Sequence, residues 1–139
     1  MRSYNRLFAA AFGLLFLALG AAGFVVSFGR PPLDVEGVPL LGFFTANPLQ
    51  SVLSMATGAV LLVPALTSSR TARRVNAILG AALLASGIAG LYVIGTPANV
   101  LALNATDILL QFAAAAFLLG ASLGADRAGA SQSGGPLVK

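Results

Sequence analysis

The chain contains no cysteine, no histidine and no tryptophan. Without cysteine there is no disulfide, no thiol nucleophile and no thiolate metal site, and redox compartment leaves no mark on the sequence. Without histidine the commonest metal ligand, the usual haem ligand and the usual proton relay at neutral pH are missing. Charge is scarce too: Asp, Glu, Lys and Arg make up 9% of 139 residues, against about 25% in soluble domains. A chain that is 58% apolar, with a mean hydropathy of +0.91, has no way to hide its apolar surface from water. It reads as an integral membrane protein. Eight basic residues against four acidic ones give a net charge of +4. These cations flank apolar runs instead of mixing with aromatics on one surface, so lipid is the expected partner and nucleic acid is not.

Four apolar runs follow one another. Leu7 to Phe28 carries no charge over 22 residues, and crossing the hydrocarbon takes about 20. Its basic start and the small residues Gly20, Ala21 and Ala22 imitate a signal peptide. Signal h-regions are only about 7–15 residues long, so this run reads as a retained anchor. Further spans are expected at about 48–66, 75–95 and 105–124. Pro64 is expected to kink the second. Between the first two, Arg30-Pro31-Pro32 ends the helix, because a residue before proline leaves the α region. Asp34 and Glu36 make that connection polar, and Val38 to Phe44 turns apolar again, lying at the interface or folded against the bundle. Thr67 to Arg74 reads as a tight polar loop, and Thr96 to Leu103 as a short uncharged one. The expected fold is all-α: a compact four-helix transmembrane bundle over 1–125, then a Gly- and Ser-rich flexible tail over 126–139.

Orientation follows from the basic residues near the spans. Arg2, Arg6, Arg70, Arg73, Arg74, Arg127 and Lys139 fall on one side, and only Arg30 on the other. Both termini are therefore expected in the cytoplasm of a cell whose inner (plasma) membrane holds the protein. Arg70, Arg73 and Arg74 read first as topology determinants. They are also candidate contacts for anionic lipid headgroups, at about 1 kcal/mol each.

Two helix starts stand out. Asn47-Pro48-Leu49-Gln50 and Asn104-Ala105-Thr106-Asp107 each precede an apolar run. Asparagine is a strong N-cap, proline suits the first helical position, and a Gln at the third can close a capping box. Asp107 also sits well on the positive end of the helix dipole. One turn into a helix is only about 5 Å deep, which favours this structural role over a proton or cation site. Gln50, Ser51, Ser54 and Thr57 cluster in the first turns of the second span, with 50, 54 and 57 on one face. An unpaired amide in lipid is costly, so that face should point at other helices. Gln50, Ser54, Thr57, Asp107 and Gln111 form a candidate polar pocket between the second and fourth spans.

The two caps lie 57 residues apart (104 − 47), and Gly20 and Gly23 recur as Gly87 and Gly90, which suggests a duplicated helical hairpin. Parallel repeats of this kind are related by an axis along the membrane normal. Small residues at every fourth position, Ala81, Ala85 and Ala89 and again Ala116, Gly120 and Gly124, support close helix packing.

The stretch Gly42-Phe43-Phe44-Thr45-Ala46-Asn47-Pro48-Leu49, and Asn104-Ala105-Thr106-Asp107 after it, resemble an uncharacterised bacterial family of small four-helix membrane proteins catalogued as a domain of unknown function. Its members look like Gly-x-Phe-x-x-Asn-Pro-x-His-Asn-x-x-His and Asn-x-x-Asp-Asn-x-x-His. The resemblance runs from the first span through Gly124 and implies the four-span fold. This chain carries Gln50, Ser54 and Gln111 where the family has histidine, and Ser51 where it has asparagine. A metal or haem held by those histidines could not be held the same way here, and no cofactor is expected.

No catalytic constellation is present: no base near a serine, no paired carboxylates and no phosphate loop after a strand. The residues point to a non-enzymatic structural or accessory membrane subunit, packing against a larger complex or itself. The alternative is a small transporter or lipid-binding module using the polar pocket.

Overall fold

The computed structural model describes residues 3–125. The tail over 126–139, and with it Arg127 and Lys139, lies outside the described residues, as does Arg2. Four long helices dominate: α1 (Tyr4–Val26), α2 (Pro48–Thr67), α3 (Ser69–Val93) and α4 (Ala105–Gly120). The last continues as a π-helical turn over Ala121–Ala125. All four are long and apolar enough to cross a membrane.

The boundaries differ from the sequence reading in one instructive place. The expected loop over 67–74 is reduced to a single residue, Ser68. Its side chain accepts from the Thr71 N–H and so opens α3 directly behind the end of α2. Arg70, Arg73 and Arg74 therefore stand on the first turns of a helix. Hydropathy marks where a helix enters lipid, whereas arginine is a good helix former that carries the helix beyond that point.

The long first connection also holds structure that an all-α reading omits. Strand β1 (Val38–Leu40) pairs antiparallel with β2 (Phe44–Ala46), Val38 opposite Ala46 and Leu40 opposite Phe44. Leu41 and Gly42 turn the chain with φ of 55° and 83°. Nothing crowds the space where a Gly42 side chain would go, so glycine is needed there for its backbone freedom alone.

Helix α1 packs chiefly on α2, and α3 chiefly on α4. Glycine sets both distances. A methyl group at Gly58 would sit 2.5 Å from the Leu17 backbone nitrogen, and one at Gly20 would sit 2.6 Å from that of Met55. In lipid there is no hydrophobic drive between helices, so such backbone proximity supplies the dispersion contact. The alanine and glycine stripes singled out above do not do this. Ala81, Ala85, Ala89, Ala116 and Gly120 are exposed, and Gly120 and Gly124 have open space beside them. Small residues do mediate the packing, but on the glycine faces and not on these stripes. A helix rich in small residues offers several such stripes, and only its neighbours decide between them.

The two hairpins match in detail. Arg6, Gly13, Gly20 and Gly23 recur 67 residues later (73 − 6) as Arg73, Gly80, Gly87 and Gly90. Gly13 faces Leu62 and Gly80 faces Leu119; Gly20 faces Met55 and Gly87 faces Phe112; Gly23 faces Ser51 and Gly90 faces Ile108. Each second partner lies 57 residues beyond the first (119 − 62). Even the helix ends agree. Arg6 Nε donates to the Ala65 carbonyl at 2.7 Å, and Arg73 Nε to that of Ser122 at 2.8 Å. Guanidinium groups are well placed there, because the last carbonyls of a helix lack amide partners and carry its negative pole.

Replacing Gly58 by alanine should force α1 and α2 apart and destabilise the protein by about 1–3 kcal/mol. Gly120→Ala, where space is open, should be neutral or slightly stabilising, because alanine is the better helix former. Unfolding titrations with dodecyl sulfate in mixed micelles would compare them. Equal effects would mean that the α1–α2 distance is not set at Gly58.

Candidate functional site

Because α2 leans on α1 and α4 leans on α3, α2 and α4 scarcely touch. The gap between them is a cavity of about 230 Å³. Phe16 and Leu19 of α1 line it, with Leu79, Leu83 and Ser86 of α3. Helix α2 adds Gln50, Ser51, Leu53, Ser54 and Thr57, and α4 adds Asp107, Leu110 and Gln111. The hairpin covers one end with Leu40, Phe44, Thr45 and Ala46. All five residues of the candidate polar pocket thus line one cavity.

The cavity's polar end is built by the two caps. The Asn47 side-chain oxygen accepts from the Gln50 N–H at 2.8 Å. Its amide nitrogen donates to the carbonyls of Asp34, at 3.0 Å, and Val100, at 2.8 Å. One buried carboxamide therefore starts α2 and fastens both connecting segments on that side of the bundle. Asn104 and Asp107 form the full capping box at α4, and the Asn104 amide reaches across to the Phe43 carbonyl at 2.9 Å. Helix α2 has no such box. The Gln50 side chain, expected to close one, lines the cavity instead. Pro48 sits at the start of α2 as anticipated.

Asp107 is 6% exposed. Its Oδ2 accepts from the backbone N–H groups of Asn104, at 3.0 Å, and Thr45, at 3.4 Å. The Thr45 hydroxyl lies 3.1 Å from the same oxygen, and against the Ala102 carbonyl. The carboxylate thus has both the structural role read from the sequence and a place on the cavity wall. No Lys or Arg among the described residues lines that wall. Two buried atoms of wall residues have no hydrogen-bond partner: Ser51 Oγ, which packs toward Gly23 of α1, and Gln111 Oε1. Thr57 is satisfied within its own helix, its hydroxyl donating to the Leu53 carbonyl at 2.8 Å.

The arginines separate. Arg73 is half-buried and holds the end of α4, whereas Arg70 and Arg74 are exposed. Arg73 is therefore engaged in the fold, and only Arg70 and Arg74 present their side chains outward. Two further polar residues escaped the sequence reading. Asn5 donates to the Ala121 carbonyl at 3.0 Å, and Asn76 donates to the Asn5 carbonyl at 2.9 Å. Both asparagines are fully buried. The signal was a lone amide in an otherwise apolar stretch, Val75-Asn76-Ala77-Ile78, which in lipid must find a partner inside the protein.

Four apolar helices, paired two by two and bridged by capped loops over a polar-ended cavity, define a multi-pass membrane protein. The chain belongs to the family described as Domain of unknown function (DUF4383), which matches residues 6–124. No curated protein and no solved structure matches it.

Asn47→Asp keeps the cap's acceptor but replaces a donor to two carbonyls with a second acceptor. It should destabilise the protein by about 2 kcal/mol, close to the effect of Asn47→Ala, since the unpaired carbonyls dominate. Thermal unfolding in detergent, followed by circular dichroism, would measure both. An aspartate variant as stable as wild type would reduce Asn47 to a helix cap alone.

Proposed function

We propose that this protein is a non-enzymatic membrane module, a small transporter or lipid-binding protein, that binds a small amphipathic molecule in the cavity between α2 and α4. The observation that carries this reading is the convergence of Gln50, Ser54, Thr57, Asp107 and Gln111 on one cavity. Lipid-exposed helices fold more tightly without a hole, and polar groups around a hole need partners. A binding cavity of this kind combines mostly apolar walls with a few polar groups that orient the ligand. In this reading the protein sits in the inner (plasma) membrane with both termini cytoplasmic, and its cavity lies toward the exterior. The matched hairpins support an origin by tandem duplication.

Filling the cavity tests this reading. Wild-type protein purified in mild detergent should carry a lipid or small solute that mass spectrometry detects and that is depleted in Ser54→Phe. Identical extracts from two equally folded proteins would remove the proposal. Sidedness has a separate test, helped by the absence of native cysteine. Phe43→Cys should react with a membrane-impermeant maleimide on intact cells, and Arg70→Cys only after permeabilisation. The reverse pattern would invert the orientation.

A second reading is the structural or accessory subunit, and the outward alanine stripe of α3 at 81, 85 and 89 favours it. Small residues let another helix approach closely. This reading predicts a stoichiometric partner or a defined homo-oligomer in mild detergent, by light scattering after size exclusion. A lone monomer counts against it.

A further inference from the structure

We infer that the cavity's ligand is a primary ammonium group carried on a small apolar body, with the Asp107 carboxylate as its counter-ion. This rests on the reading of the cavity as a ligand site and names the chemistry of what enters it. The Asp107 carboxylate lines the space, and two buried acceptors of neighbouring wall residues lack a donor. Ser51 Oγ belongs to a side chain only 2% exposed and has no donor, and Gln111 Oε1 is likewise buried without one. Asp107 stands one helical turn before Gln111 on the same face of α4, and both line the cavity. An ammonium group carries three donors and no acceptor, so it pairs with the carboxylate and, once the Gln111 amide turns toward the cavity, with that carbonyl oxygen as well. A hydroxyl offers a single donor and no charge to pair with the carboxylate.

Charge points the same way. Among the described residues Asp107 is the one ionisable group on the wall, and no cation balances it there. A carboxylate ligand would face it unpaired. The remaining surface is apolar and includes Phe16 and Phe44, whose ring faces attract a cation. Size argues for an organic cation over a bare ion. The cavity, at about 230 Å³, exceeds the roughly 150 Å³ that accommodates a benzene ring in an engineered apolar cavity. A six-carbon amine fits that scale.

Equilibrium binding of n-hexylamine and n-hexanol to the full chain in phosphatidylcholine nanodiscs, with empty nanodiscs subtracted, would test the inference. The amine should bind about tenfold tighter than the alcohol, a difference worth about 1.4 kcal/mol. Asp107→Asn should bring the ratio toward one. Should that variant fail to fold, Gln111→Leu lies outside the capping box and carries the test. It should weaken the amine several-fold more than the alcohol. Doping the nanodiscs with phosphatidylethanolamine separates two sources of the same group: competition marks a lipid headgroup, and its absence marks a free amine. Equal binding of amine and alcohol would overturn the ammonium assignment and leave the cavity reading standing. Binding of neither would overturn both.

Discussion

The carboxamide of Asn47 makes three hydrogen bonds, each to a different segment: the first turn of α2, the connection at Asp34 and the connection at Val100. Water satisfies such groups at the surface of a soluble protein, but near the hydrocarbon the chain must satisfy them itself. The side chain is fully buried, so its bonds are also protected from exchange with solvent. The same need recurs along the chain. Asn104 bonds the hairpin, Asn99 closes its own loop onto Leu103, and Asn76 bonds Asn5. Asparagine serves these places because one planar group offers both an acceptor and two donors.

The cavity is a consequence of how the helices pair. Glycines at 13, 20 and 23 pull α1 onto α2, and those at 80, 87 and 90 pull α3 onto α4. Each second helix is held by its partner, so the two second helices are left apart. Their cap-proximal turns carry the polar residues, which therefore meet across the gap instead of in a packed seam. The hairpin then covers one end of the gap, and Thr45 brings its backbone N–H to the Asp107 carboxylate. A polar pocket next to lipid needs this second layer, because the helices alone leave its mouth open.

This member of the family lacks histidine altogether, and Gln50, Ser54 and Gln111 stand on the cavity wall where the resemblance places the family's histidines. Glutamine and serine can hydrogen-bond a ligand there but do not titrate near neutral pH. Among the described residues, Asp107 is then the one ionisable group on the cavity wall. A single carboxylate among uncharged groups agrees with the ammonium ligand inferred above.

Much of the architecture was legible in the residues. The four spans, the Asn caps with Pro48, and the residues that meet at the pocket follow from composition, hydropathy and helical spacing, all of which are local. Three features were not. The helical start of α3 at Ser69 lay hidden beneath arginines that hydropathy reads as a loop. The hairpin was too short, at three residues a strand, to leave a period. The packing face of α3 could not be told from its alanine stripe. Sequence by itself determined that this chain is four apolar helices with capped, polar-starting ends, because burial in lipid and helix capping act over a few neighbouring residues. Only the tertiary structure decided which glycines touch which helix and that α2 and α4 stand apart around a cavity, because those depend on backbones brought together from distant parts of the chain.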